Sequence, residues 1–104
     1  MKPLIICVMM FLSVLCFSSC QKLKTSWMMI DAEAAYNQGN AEKSIRIYKK
    51  IIEVNPQQAD VHWKLGIAYY ALGEKLNMEK EILALRKLNE MNMANDLQQL
   101  LDKR

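Results

Sequence analysis

Residues His62 to Gly73 read HWKLGIAYYALG. The stretch holds the chain's one histidine, one of its two tryptophans and two adjacent tyrosines. A shift of the chain by 34 positions decides its meaning: Ala34 falls on Ala68, Tyr36 on Tyr70, Gly39 on Gly73 and Asn55 on Asn89. Apolar positions superpose as well, Tyr48 on Ile82, Ile51 on Leu85 and Val54 on Leu88. Self-similarity at such a period marks stacked supersecondary units.

Each unit predicts helix, glycine turn, helix. In the first, Met28 to Gln38 ends at Gly39, a residue free to take the left-handed conformation after a helix. Asn40 caps the next helix, in which Ser44, Tyr48, Ile51 and Ile52 share one face until Pro56 stops it. In the second unit Val61 to Leu72 ends at Gly73, and Met78, Ile82, Leu85 and Leu88 form the following stripe. A fifth helix, capped by Asn92, carries Met93, Leu97, Leu100 and Leu101 on one side. Asn95, Asp96, Gln98, Gln99 and Asp102 lie on the other, the design of a terminal cap. The expectation is an all-α domain over 26–104, with repeats at about 26–58 and 59–91 and a capping helix at about 92–103. Small residues at Ala32 and Gly66 suit a close helix approach, within ~8–10 Å.

Leu65-Gly66-x-x-Tyr69, followed by Gly73 and a paired helix, resembles the tetratricopeptide repeat, whose period matches the lag. The first unit fits with Ala32, Ala35, Ser44, Tyr48, Ile51 and Pro56. The second departs, with Met78, Ile82 and Leu85 where that family has small, aromatic and small residues, and Glu90 in place of proline. The resemblance implies a short right-handed α-solenoid whose first helices line a concave groove for an extended or helical peptide. Carried over position by position, Met29, Ile30, Glu33, Tyr36 and Asn37 would line it from the first repeat. Asp60, Trp63, Lys64, Ile67, Tyr70 and Ala71 would line it from the second. Trp63, Ile67 and Tyr70 recur at helical spacing on a row distinct from Leu65, Gly66, Tyr69 and Leu72, which are expected to serve the inner face. The competing reading buries that aromatic row under the last helix or against a further subunit. His62 falls where the family often has tryptophan, a packing position.

Two repeats and a cap fall short of the roughly three repeats that such arrays need. The Trp27-Met28-Met29 end is therefore expected to be covered, or the array to continue onto a partner, a second copy included.

Ahead of the domain, Met1-Lys2 precedes an uncharged run from Pro3 to Ser19. A basic start, an apolar stretch and small residues have the layout of a secretory signal. Phe17-Ser18-Ser19-Cys20 resembles a bacterial lipobox, with phenylalanine in place of the usual leucine. That resemblance implies a lipoprotein signal peptide over 1–19, lipidation at Cys20, and a lipidated N-terminus and linker over 20–25. Gln21, rather than aspartate, implies an outer-membrane address facing the periplasm. The alternatives are an uncleaved N-terminal anchor helix and ordinary secretion. All three put the domain outside the cytoplasm. Cys7 and Cys16 lie within the run, so processing would leave no disulfide framework.

From Thr25 onward eleven Lys and Arg balance eleven Asp and Glu. A neutral domain argues against nucleic acid, which selects a net basic face. One histidine, with no free thiolate beside it, makes no metal site and no nucleophilic triad. No catalytic residue and no cofactor are expected. The sequence points to a lipid-anchored adaptor or assembly factor of a bacterial envelope, binding a protein or peptide through Met29, Glu33, Tyr36, Asn37, Trp63, Lys64, Ile67 and Tyr70. The rival is a constitutive subunit docking through its exposed N-terminal face.

Overall fold

A computed structural model describes residues 23–103; the expected signal at 1–19, Cys20 and the start of the linker lie outside them. The described chain is five helices and no strand. Helix α1 occupies 23–37, α2 Ala41–Val54, α3 Ala59–Leu72, α4 Lys75–Lys87 and α5 Met91–Asp102. Consecutive helices pack against each other from α2 to α5, and α5 also lies against α3. This is the all-α stacked array that the 34-residue lag implies.

Three turns share one solution to the unpaired carbonyls at a helix end. Gly39 (φ +83°), Gly73 (φ +74°) and Asn89 (φ +62°) are all left-handed. In each, the following N–H returns five residues: Asn40 to the Ala35 carbonyl, Glu74 to Tyr69 and Glu90 to Leu85, at 2.9, 3.0 and 2.9 Å. The left-handed residue itself donates three back, Gly39 to Tyr36, Gly73 to Tyr70 and Asn89 to Arg86. This paired bonding satisfies the last carbonyls and reverses the chain within two residues. Asn40 caps α2 as expected, its Oδ1 accepting from the Lys43 N–H at 3.1 Å.

The helix starts differ from expectation. α1 is already helical at residue 23, so 23–25 are helix and not linker. α3 begins at Ala59, two residues before Val61. α5 begins at Met91 with Glu90 at the capping position, so Asn92 is an exposed residue of the first turn and not the cap. The cause is Asn89: its left-handed backbone turns the chain early enough for α5 to start ahead of Asn92. Although the lag pairs Asn55 with Asn89, Asn55 keeps an ordinary φ of −139° and closes an Asx turn to the Gln57 N–H.

Val61, Leu65, Ile51, Met78, Ile82, Leu85 and Leu97 form the fully buried centre, drawn from α2 to α5. The close approach at Gly66 faces α5: a Cβ there would lie 2.5 Å from Leu97 Cδ1. Leu97 thus seats into the space that the missing side chain leaves, and Ala94 is buried beside it. Asn92, Asn95, Asp96, Gln99 and Asp102 face outward, which makes α5 a cap with a polar exterior. Leu72, expected on the inner face, is 40% exposed at the last turn of α3. Leu88 is half-buried at the end of α4.

Candidate functional site

Two helix rows converge between α1 and α3. Glu33, Tyr36 and Asn37 come from the last turns of α1, and Trp63, Lys64 and Ile67 from the middle of α3. Together they line a cavity of about 270 Å³. Six of the eight residues expected to bind a partner are therefore brought together. Met29 and Tyr70 do not line it; both are half-buried and pack on the core. Ile30, Asp60 and Ala71, the remaining positions of the expected groove, are exposed.

Trp63, Ile67 and Tyr70 are neither bare groove nor core. Each is half-buried and packed against the central cluster. Trp63 Nε1 is buried with no hydrogen-bond partner among the described residues. An unmade bond of that kind costs about 1–3 kcal/mol, so indole is a poor choice here for stability alone.

Tyr48 of α2 completes the lining and was missed as a site residue because its place in the helix stripe marks it as core. Only 3% of it is exposed. The available signal was chemical: a tyrosine on a buried stripe, where isoleucine serves at the equivalent position 82, must direct a hydroxyl somewhere. Burial, then the nearby carboxylate of Glu33, Tyr36 and the Asp60 carboxylate push its phenol up to about 12. It therefore remains a neutral hydroxyl at ordinary pH. Across the mouth, the Lys64 ammonium pairs with Glu33 Oε1 and ties the α3 wall to the α1 wall.

His62 lies outside this cavity. It is 7% exposed and bonded at both nitrogens. Nε2–H donates to the Pro56 carbonyl at 2.8 Å, and Nδ1 lies 2.7 Å from Glu81 Oε2 on α4. With Nε2 committed as a donor, a proton must also sit between Nδ1 and the carboxylate, as imidazolium with carboxylate or as imidazole with carboxylic acid. The residue ties the α2–α3 turn to α4, the packing role expected of it. Among the described residues no cluster of three or more His, Cys, Asp or Glu could hold a metal, and no helix is long and apolar enough to cross a membrane.

Residues 32–73 match the family model described as TPR repeat. No curated protein and no solved structure matches the chain. The matched stretch contains every residue that lines the cavity. Such repeats mediate protein–protein interaction and typically serve as non-catalytic scaffolds. Over residues 32–73 the chain is similar to the tetratricopeptide repeat, and its lag, its helix order and its Leu65-Gly66-x-x-Tyr69 segment agree with that similarity.

Proposed function

We propose that the protein is a membrane-anchored adaptor or assembly factor of the bacterial cell envelope, without catalytic activity, that holds a peptide or helix of another protein between α1 and α3. One observation carries the binding half of this reading. Positions carried over from the tetratricopeptide resemblance onto two helices, Glu33 and Trp63 among them, line one cavity. Half-buried aromatics beside polar side chains are the usual anchors of such surfaces. A photo-crosslinking residue at position 67 of the full-length chain should capture a discrete protein partner in intact cells. The same residue at position 99, on the outer face of α5, should not. Equal capture from both positions would remove the cavity as the binding surface.

The anchoring half rests on Phe17-Ser18-Ser19-Cys20 and on the apolar run before it. Labelling with a radioactive fatty acid should mark the wild type and not Cys20→Ala, which should accumulate as a larger, unprocessed species. Persistent labelling of the variant would end the lipoprotein reading, in favour of an uncleaved anchor helix or plain secretion. Outer-membrane placement follows from Gln21 and is tested by fractionation of the same strains.

The rival reading, a constitutive subunit, is favoured by one specific feature. Leu23, Trp27 and Ile30 are all more than half exposed and recur at i, i+4 and i+7 on α1. Trp27→Glu would disperse a constitutive complex while leaving crosslinking at position 67 intact; a complex unchanged in size on sedimentation removes this alternative.

A further inference from the structure

We infer that the cavity between α1 and α3 takes the cationic side chain, lysine or arginine, of a partner's peptide segment, held among the rings of Tyr36, Tyr48 and Trp63 with Glu33 as its counter-ion. This deepens the peptide-binding reading and rests on it. Size is the first argument. About 270 Å³ is just below the roughly 300–1,000 Å³ of pockets that enclose whole small molecules, and suits one long side chain entering from a bound segment.

The lining supplies the second. Three of its seven residues are aromatic, and the faces of such rings attract ammonium and guanidinium groups. Charge supplies the third. The carboxylates that act on the Tyr48 phenol are those of Glu33 and Asp60, and both oppose the appearance of negative charge there. In the field of these two carboxylates a cation beside the phenol is favoured over an anion. Tyr48 is 3% exposed and lines the cavity.

Lys64 shows what the site accepts. Its ammonium already rests on Glu33, a cation from the chain itself at the rim of the cavity. Its side chain keeps 29% of its surface exposed, so it can swing outward when a partner's cation arrives. Lys64 is then the competitor of the ligand and not its anchor.

The test uses the full-length chain with labelled aromatic residues. Their resonances are followed while three peptide pools are added, with randomised flanks and a central arginine, citrulline or glutamate. Citrulline keeps the shape of arginine and removes its charge. The arginine pool should bind about tenfold more tightly than the citrulline pool, with shifts at Tyr36, Tyr48 and Trp63. Glu33→Gln should erase that preference. Lys64→Gln should strengthen arginine binding, a gain that misfolding cannot imitate. Equal binding of arginine and citrulline overturns the inference and leaves the peptide groove standing. Preference for glutamate also overturns it and makes Lys64 the anchor. If no pool moves any cavity ring, the groove reading falls together with the inference.

Discussion

A methyl group on residue 66 would collide with Leu97 Cδ1, and because Leu97 is itself wholly buried it can give way only by repacking among its neighbours. Gly66→Ala should therefore destabilise by about 1–2 kcal/mol, overpacking outweighing the ~1 kcal/mol by which alanine favours a helix. In urea titrations, adding Leu97→Ala should relieve that cost, with a coupling of about 0.5–3 kcal/mol between the two sites. Strict additivity would show that Gly66 does not serve as the seat of Leu97. At His62 the chemistry is a shared proton. Burial raises the Glu81 carboxyl above its ordinary 4.5, against the lowering effects of the His62 hydrogen bond, the His62 charge and Lys49. The folded chain thus keeps a proton that the unfolded chain releases, so stability falls as pH rises from 4.5 through the raised value. Glu81→Gln removes this slope. Melting curves across that window should show the wild type losing ground to the variant; a wild type that gains ground reverses the sign and refutes the account. The packing role of His62 was legible in its repeat position. Its partner was not, since Glu81 is 19 residues away and no helical or repeat spacing links them.

The turns mark the limit of legibility at the level of elements. Gly39 and Gly73 announce left-handed helix ends because glycine has no Cβ to oppose them. Asn89 does the same work silently: asparagine tolerates this backbone, yet it serves equally as a cap, and Asn92 looks the better signal for starting α5. The local bonding decides, with Glu90 returning to Leu85 and the helix starting at Met91. Asn89→Ala should cost about 1 kcal/mol, near the penalty for a residue with an unassisted Cβ in this region. Asn89→Gly should be neutral or stabilising. Both are read from thermal melts, and an alanine variant as stable as the glycine variant would mean that the turn relaxes out of the left-handed region.

For the molecule as a whole, the lag of 34 residues carried the fold because each period repeats one way of burying an apolar stripe. The cavity walls came from the resemblance to the tetratricopeptide repeat, carried over position by position. That resemblance could not locate Tyr48, because the residue belongs to the stripe that buries and yet lines the cavity. Nor could it tell that Trp63, Ile67 and Tyr70 are half-buried and packed against the core. That packing changes what an alanine scan should show. Full burial of a large apolar side chain is worth about 1.5–3 kcal/mol, so two half-buried rings should cost about 2 kcal/mol together. Trp63→Ala with Tyr70→Ala should then keep its helicity and lose roughly 8–16 °C in Tm, using about 4–8 °C per kcal/mol for a domain of this size. Partner capture should fall by ~2 kcal/mol or more at a temperature where the variant remains folded. Leu97→Ala, expected to cost about 2–5 kcal/mol from beneath the cap, supplies the matched control. It weakens the fold at least as much without touching the cavity. If Leu97→Ala loses partner capture to the same degree, the loss tracks stability and the aromatic row is packing. If only the double variant loses it, the row binds.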